Sequence, residues 1–391
     1  ANQRWIISHR MAVTWMHPQD GTLRMSGPEC PKGHFGERMY DEGKAQGSIL
    51  WMHPGHSHTV AYDPSLIGTI TRFPVIQSDA GETCSGQIVG IPTLMQHLLA
   101  DQEKAVEMMW KAAEEHAAEA DVIGLGAACA VVGLRGEVLA RRLDRPVTTG
   151  NSLTCWASAE TVSRAMTLAT SEPRFHPRVL VVGLPGTVAE ALVGVLALRG
   201  LPVEVYSRRF AKPLERRLSR IEADTGVQLR RWTDLDAAVR AKGIIVGAGS
   251  LGGELASADL RPGTVVVDVA QPLDTTPEQR ARRDLMVLEG ELVYMPKATG
   301  NRWLSFWTTL YNAIIGQGQQ RVFACLAEPM VLCLDGRSES YSLGRKLDPH
   351  RVEALGQSAA RHGFGVRGLY SGTTEVRPHE LREFVRIPWL P

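Results

Sequence analysis

Several things are missing from this 391-residue chain, and each absence closes off a class of function. It has six cysteines, at 30, 84, 129, 155, 325 and 333, and no Cys-x-x-Cys pair among them. Scattered thiols in a chain with ample apolar material suit a reducing compartment and argue against a disulfide framework. There is no excess of either charge: 43 Lys and Arg face 42 Asp and Glu. Nothing global therefore points to nucleic acid or to an anionic membrane surface. Apolar runs such as Val179–Val182 and Val265–Val269 are strand-length, far short of a bilayer span, which excludes a transmembrane segment there and leaves a peripheral membrane contact open. The first ten residues show no basic stretch followed by a long apolar one, so no secretory signal is read there and a cytoplasmic location is expected. No Gly-x-Ser-x-Gly elbow, P-loop or His-Glu-x-x-His is present.

What is present falls into three parts. Residues 1–172 read as an N-terminal α/β substrate and catalytic domain. Strands are expected at 67–76 and Cys84–Val89, with a long helix from Pro92 to about Ala120. Strand, glycine turn and strand are expected over Asp121–Val132, and a helix opening at Asn151–Ser152 runs to about Ala169. Met108, Trp110 and Leu134 could line an apolar tunnel, although core packing is the more ordinary role for each. The N-terminal sixty residues repeat Trp-Met-His-Pro twice and carry His53, His56 and His58 near Cys30 and His34. The spacing matches no metal pattern, and no metal is expected.

Pro173 and Pro177 mark the next boundary. Over 173–298, β-branched apolar strands alternate with amphipathic helices, at 178–183, 186–199, 202–206, 213–225, 228–230, 234–241, 243–246 and 264–269. That alternation predicts a Rossmann-like parallel sheet covered on both faces. Residues 299–391 should be a C-terminal helical segment packing back on the first domain, with helices from Trp303 through Asp335 and at 349–362 and an irregular polar tail from Tyr370.

The glycine turn Gly183-Leu184-Pro185-Gly186-Thr187-Val188-Ala189 follows an apolar strand and opens a helix. Backbone N–H groups and the positive helix end can hold a pyrophosphate in that setting, and a tight turn without ligand is the plain alternative. Where an NAD site places an acid at the end of the next strand, this chain has Ser207, Arg208 and Arg209. A hydroxyl and two guanidinium groups fit a 2′-phosphate, hence NADPH; a solvated basic turn is the alternative. The loops at Ala248-Gly249 and Ala270 end later strands and should border the same crevice. Cys325 lies in Arg321–Glu328, a short apolar stretch with helical spacing, where a buried, inert thiol is the ordinary reading.

Three segments resemble the cyanobacterial long-chain acyl-[acyl-carrier-protein] reductases, which form fatty aldehydes. One is Thr148-Thr149-Gly150-Asn151-Ser152-Leu153-Thr154. Another is the turn from Val181 to Gly186. The third combines Phe323–Glu328 with Ser342-Leu343-Gly344-Arg345 and Arg361-His362-Gly363-Phe364. The chain departs from that family at Pro185 and Val188, lacks the third glycine of the turn, and has Leu153 in place of a histidine.

The resemblance implies an acyl-enzyme formed on Cys325, NADPH as reductant and an acyl thioester of carrier protein or coenzyme A as substrate. An aldehyde-consuming partner enzyme suits a reactive product. His362 is the candidate base for the thiol. Asn151, Thr149 and the backbone at Gly150 are candidate oxyanion donors, with helix capping as the alternative. Two rival readings stay open: a nicotinamide dehydrogenase of a small hydroxy or amino acid, and a non-catalytic carrier-docking protein.

Overall fold

The computed structural model describes residues 3–8, 68–72, 75–91, 95–173, 175–240, 243–250, 252–296, 298–299, 321–372 and 374–386. The His-rich segment and the first part of the helix expected from Trp303 lie outside these. The chain divides into two compact units. The first comprises 1–150, 298–305 and 328–345; the second comprises 151–297, 306–327 and 346–391. The division falls between Gly150 and Asn151, and again inside the helix Ala324–Leu334, between Ala327 and Glu328.

The first unit is built on a mixed sheet. Its strands are β1 (Gln3–Ser8), β2 (Gly68–Arg72), β3 (Val75–Gln77), β4 (Thr83–Gly90), β5 (Val122–Leu125), β6 (Val147–Thr148) and β14 (Ala298–Thr299). The order is β14-β3-β4-β1-β5-β6, with β2 also paired to β4. β1 is parallel to both β4 and β5, whereas β2 and β3 run antiparallel to β4. The helix Gln102–His116 buries Ala105, Val106, Met108, Met109, Ala112 and Ala113 on one stripe, in a core shared with Ile123, Leu125 and Leu139. Trp110 packs half-buried against the same core.

Two expectations for this unit need correction. The long helix is two helices, Met95–Ala100 and Gln102–His116, because Asp101 caps the second by accepting the Lys104 N–H (3.0 Å). The second strand expected after Gly126 is a 3₁₀ turn at Ala127–Val131. The β-branched content of that segment is too low to favour a strand.

The second unit carries a six-stranded parallel sheet. Its strands are β7 (Val179–Val182), β8 (Val203–Tyr206), β9 (Arg230–Trp232), β10 (Ile244–Gly247), β11 (Thr264–Asp268) and β12 (Leu285–Glu289). The order is β12-β11-β10-β7-β8-β9, and each adjacent pair is parallel. Counted within the unit, this is the doubly wound arrangement in which the order reverses beside the first strand. β7, β10 and β11 are buried at every residue, as a sheet covered on both faces requires.

Three helices cover one part of this unit: Asn151–Ala169, Thr187–Leu198 and Pro349–Arg361. Arg199 ties them together, pairing with Glu353 (2.7 Å) on the third and Glu160 (2.9 Å) on the first. The segment from Arg321 is only partly helical. β15 (Arg321–Phe323) pairs antiparallel with β13 (Leu292–Tyr294), and the helix starts at Ala324. The described part of the tail is regular: β16 (Leu369–Ser371) pairs antiparallel with β17 (Thr374–Val376), followed by the helix Pro378–Phe384. Among the described residues no helix is long and apolar enough to cross a membrane.

Candidate active site

The glycine turn sits where the strand order reverses, between the ends of β7 and β10. Gly183 has φ +115°, and a Cβ there would lie 2.5 Å from the backbone of Ala248. Only glycine allows the two strand ends to approach so closely. The Gly186 N–H donates to the Gly183 carbonyl (2.8 Å), and the helix begins at Thr187. Its first N–H groups have no acceptor within the helix. The Thr187 hydroxyl is buried and has no hydrogen-bond partner among the described residues. An orphaned hydroxyl beside open helix N–H groups, at a turn with no side chain in the way, fits the pyrophosphate of a dinucleotide. Pro185 is exposed and Val188 half-buried on the same turn.

At the end of β8, Ser207 is buried, its hydroxyl donating to the Arg209 carbonyl (3.1 Å). Arg208 is exposed and Arg209 is exposed beside it. Among the described residues Arg208 makes a single long contact, with Glu254 (3.4 Å), so both guanidinium groups can turn to a ligand.

The ends of β10 and β11 are held by carboxylates. The Gly249 N–H donates to Asp274 (2.7 Å), as does that of Glu254 (3.1 Å). Asp268 accepts from the N–H groups of Ala270 (3.3 Å), Asp274 (3.2 Å) and Thr275 (2.9 Å), and from the Thr275 hydroxyl (2.7 Å). The Ala248 N–H goes to the Val182 carbonyl (3.0 Å). Ala248, Gly249 and Ala270 therefore shape the rim, with their own N–H groups already engaged. Burial pushes Asp274 up to about 6 and pushes Glu289 and Glu291 above the usual carboxylate range.

Cys325 is the second residue of the helix Ala324–Leu334. Of the five described cysteines, Cys84, Cys129, Cys155 and Cys333 are buried and Cys325 is half-exposed. Burial raises the Cys155 and Cys333 thiols far above the usual range. The start of the cysteine's helix is stitched to the sheet: the Ala324 N–H donates to the Glu291 carbonyl (2.8 Å), and Phe323 pairs with Leu292. Glu291 lies two residues past Glu289, which ends β12 and pairs with Asp268 at the end of β11. Cys325 thus follows directly from a segment anchored at the carboxyl edge of the sheet, the edge where such sheets take ligands. Pro329 cannot donate an N–H to the Cys325 carbonyl one turn back.

His362 is buried and caps the helix Pro349–Arg361. Three residues on, Gly365 exchanges backbone hydrogen bonds with Tyr294 (2.8 and 3.2 Å). The segments bearing His362 and Cys325 therefore both attach to β13. Asn151 opens its helix and is half-buried. Thr149 is buried in the first unit, and its hydroxyl donates to the Ser342 carbonyl (2.5 Å), which leaves that proton committed.

Sequence reasoning passed over Glu328. It is fully buried and accepts hydrogen bonds from the hydroxyls of Thr148 and Ser342. An acid inside an otherwise apolar helix was the available signal, since a buried carboxylate needs donors.

No family model matches the chain. Over 322 residues, 82% of the chain, it is 30% identical to a protein named Aminotransferase PigE from Serratia sp. (strain ATCC 39006). The chain spans 37% of that protein's length. Over 345 residues it is 25% identical to the long-chain acyl-[acyl-carrier-protein] reductase of Synechococcus elongatus, covering 83% of this chain and 92% of the other. An NAD-dependent malic enzyme from Thermotoga maritima aligns over 93% of this chain and 85% of its own, at TM-score 0.37 and 14% identity.

Proposed function

We propose that the chain is an NADPH-dependent reductase that converts an acyl thioester to an aldehyde through an acyl-enzyme on Cys325. The observation that carries this reading is the position of the one half-exposed described cysteine next to residues anchored at the carboxyl edge of a doubly wound sheet. Resemblance to the Synechococcus reductase over most of both chains supports it.

In the first step the Cys325 thiolate attacks the thioester carbonyl. A bond forms from Sγ to the acyl carbon, the bond to the carrier sulfur breaks, and the carrier leaves as a thiol carrying the proton that Cys325 gave up. A position in the first turn of a helix favours the thiolate. His362 is the base assigned to take the thiol proton. Asn151 is the oxyanion donor assigned to the same unit as Cys325. The turn at Gly183–Gly186 with Thr187, together with Ser207, Arg208 and Arg209, would hold NADPH, which when bound would furnish the hydride that reduces the acyl carbon. The Cys325 sulfur then leaves as thiolate and the aldehyde is released. Division into two displacements lowers each barrier. A partner that consumes the aldehyde suits this chemistry. The Serratia relative is named for amino transfer, a reaction that takes carbonyl compounds.

Incubation with an acyl thioester in the absence of NADPH, followed by intact mass measurement, tests the proposal. An added acyl group on the wild type and none on Cys325→Ala is expected. Nucleotide-dependent oxidation of hydroxy or amino acids surviving in Cys325→Ala would favour a simple dehydrogenase. Absence of NADPH binding would favour a carrier-docking protein.

A further inference from the structure

Within the first unit, residues 133–136 form a turn of unusual conformation. Gly133, Leu134 and Arg135 have φ of 58°, 56° and 57°, and Gly136 follows at 81°. Consecutive left-handed residues, two of them not glycine, are unfavourable unless the surroundings enforce them. Both ends are pinned. A Cβ on Gly133 would lie 2.6 Å from Val106, and one on Gly136 would lie 2.9 Å from Leu343 and 3.0 Å from Leu125. The Gly133 N–H donates to the Gln102 side chain (3.0 Å), and the Arg135 carbonyl accepts the Gly344 N–H (3.0 Å).

The middle of the turn is driven outward. Leu134 is 61% exposed, the one large apolar side chain so exposed among the described residues. Beside it, Arg135 lies close enough to Arg345 for their charges to repel, and no carboxylate bonds to either among the described residues. Burial, and then Arg345, pulls the Arg135 guanidinium below its usual range. The nearby acid, Glu137, is paired with Arg141 (3.1 Å). The same turn packs Gly136 against Thr149, which precedes the Gly150-Asn151 peptide.

We propose that Leu134, Arg135 and Arg345 form the docking point for an acidic acyl-carrier protein, a reading that rests on the thioester reductase function proposed above. Two adjacent guanidinium groups without an acid are relieved by an anionic partner. A leucine held out on a rigid turn needs an apolar recess opposite it, which a folded carrier domain offers and the phosphates of coenzyme A do not.

The test uses the full chain and one acyl group on three carriers: a bacterial acyl carrier protein, coenzyme A and N-acetylcysteamine. Arg345→Glu should raise KM for the carrier-protein thioester by about tenfold with kcat unchanged, since rim charges govern encounter. Leu134→Ala should raise it by a smaller factor, and Arg345→Lys should restore most of the loss. The other two thioesters should react as with the wild type. An equal change with all three, or none with the carrier protein, would overturn the proposal. A parallel loss with coenzyme A alone would mark a phosphate site instead. Should no thioester acylate Cys325, the reductase reading fails. Fluorescence anisotropy of labelled holo-carrier protein then decides docking by itself: binding weakened by Arg345→Glu sustains the proposal. Absence of binding, or a preference for anionic phosphatidylglycerol vesicles, refutes it.

Discussion

The two sheets differ in where their order comes from. In the six-stranded sheet the central strands are buried β-branched runs, and β7 leads through its glycine turn straight into the helix Thr187–Leu198, so local sequence specifies these strands and that connection together. In the seven-stranded sheet, β1 sits in the middle although it comes first in the chain, and β6 and β14 have two residues each. Strands so short have no periodicity of their own and exist only through long-range pairing. The difference extends to chemistry. The residues suited to a dinucleotide gather at the carboxyl edge of the six-stranded sheet. The unit built on the seven-stranded sheet is held by a conventional apolar core and a buried polar cluster around Glu328.

Cys325 and Cys333, on one helix, give the sharpest form of this contrast. Cys325→Ala should lower thioester reduction by about a thousandfold or more, because the nucleophile is lost outright. Cys333→Ala, which removes a buried thiol, should keep activity in single-turnover assays and lose only stability. Comparable activity in the two variants would erase the distinction.

Gly183→Ala comes next. A side chain at φ +115° pressed against the Ala248 backbone should cost more than about 2 kcal/mol in urea unfolding and weaken NADPH binding by calorimetry. Arg208→Glu should reduce the preference for NADPH over NADH by about tenfold, measured as the ratio of kcat/KM, with little effect on stability. An unchanged ratio would remove the 2′-phosphate from the account.

The smallest effect concerns Asp274. The fold favours its protonated form, so its stabilising contribution is complete below about pH 4 and is lost as pH rises through about 6. Asp274→Asn should flatten the fall in stability over that interval in urea titrations. A profile identical to the wild type would show that another group sets it.

Much of the dinucleotide-type sheet was legible in the sequence. Val179–Val182, Ile244–Gly247 and Thr264–Asp268 fall within a residue or two of expectation, and the Gly183 turn opens a helix as read. The strand at Arg321–Phe323 was missed because its three residues match helical spacing equally well and are fixed only by pairing with Leu292–Tyr294. The hairpin after Tyr370 was missed for a similar reason: its turn and polar strands carry no apolar alternation. Cys325 could be named, but its exposure beside buried Cys333 and its anchoring through Ala324 to Glu291 are tertiary facts. Glu328 was overlooked because its hydroxyl partners lie 180 and 14 residues away.

The central claim is that a carbonyl carried by Cys325 receives hydride from a nucleotide bound at the Gly183 turn. Single turnover of the isolated acyl-enzyme with NADPH deuterated at the transferable C4 position tests it most directly. The account predicts that one deuterium appears at the aldehyde carbon while the acyl mass on Cys325 disappears at the same rate. An acyl-enzyme that persists in the presence of bound nucleotide, or aldehyde without deuterium, would contradict it.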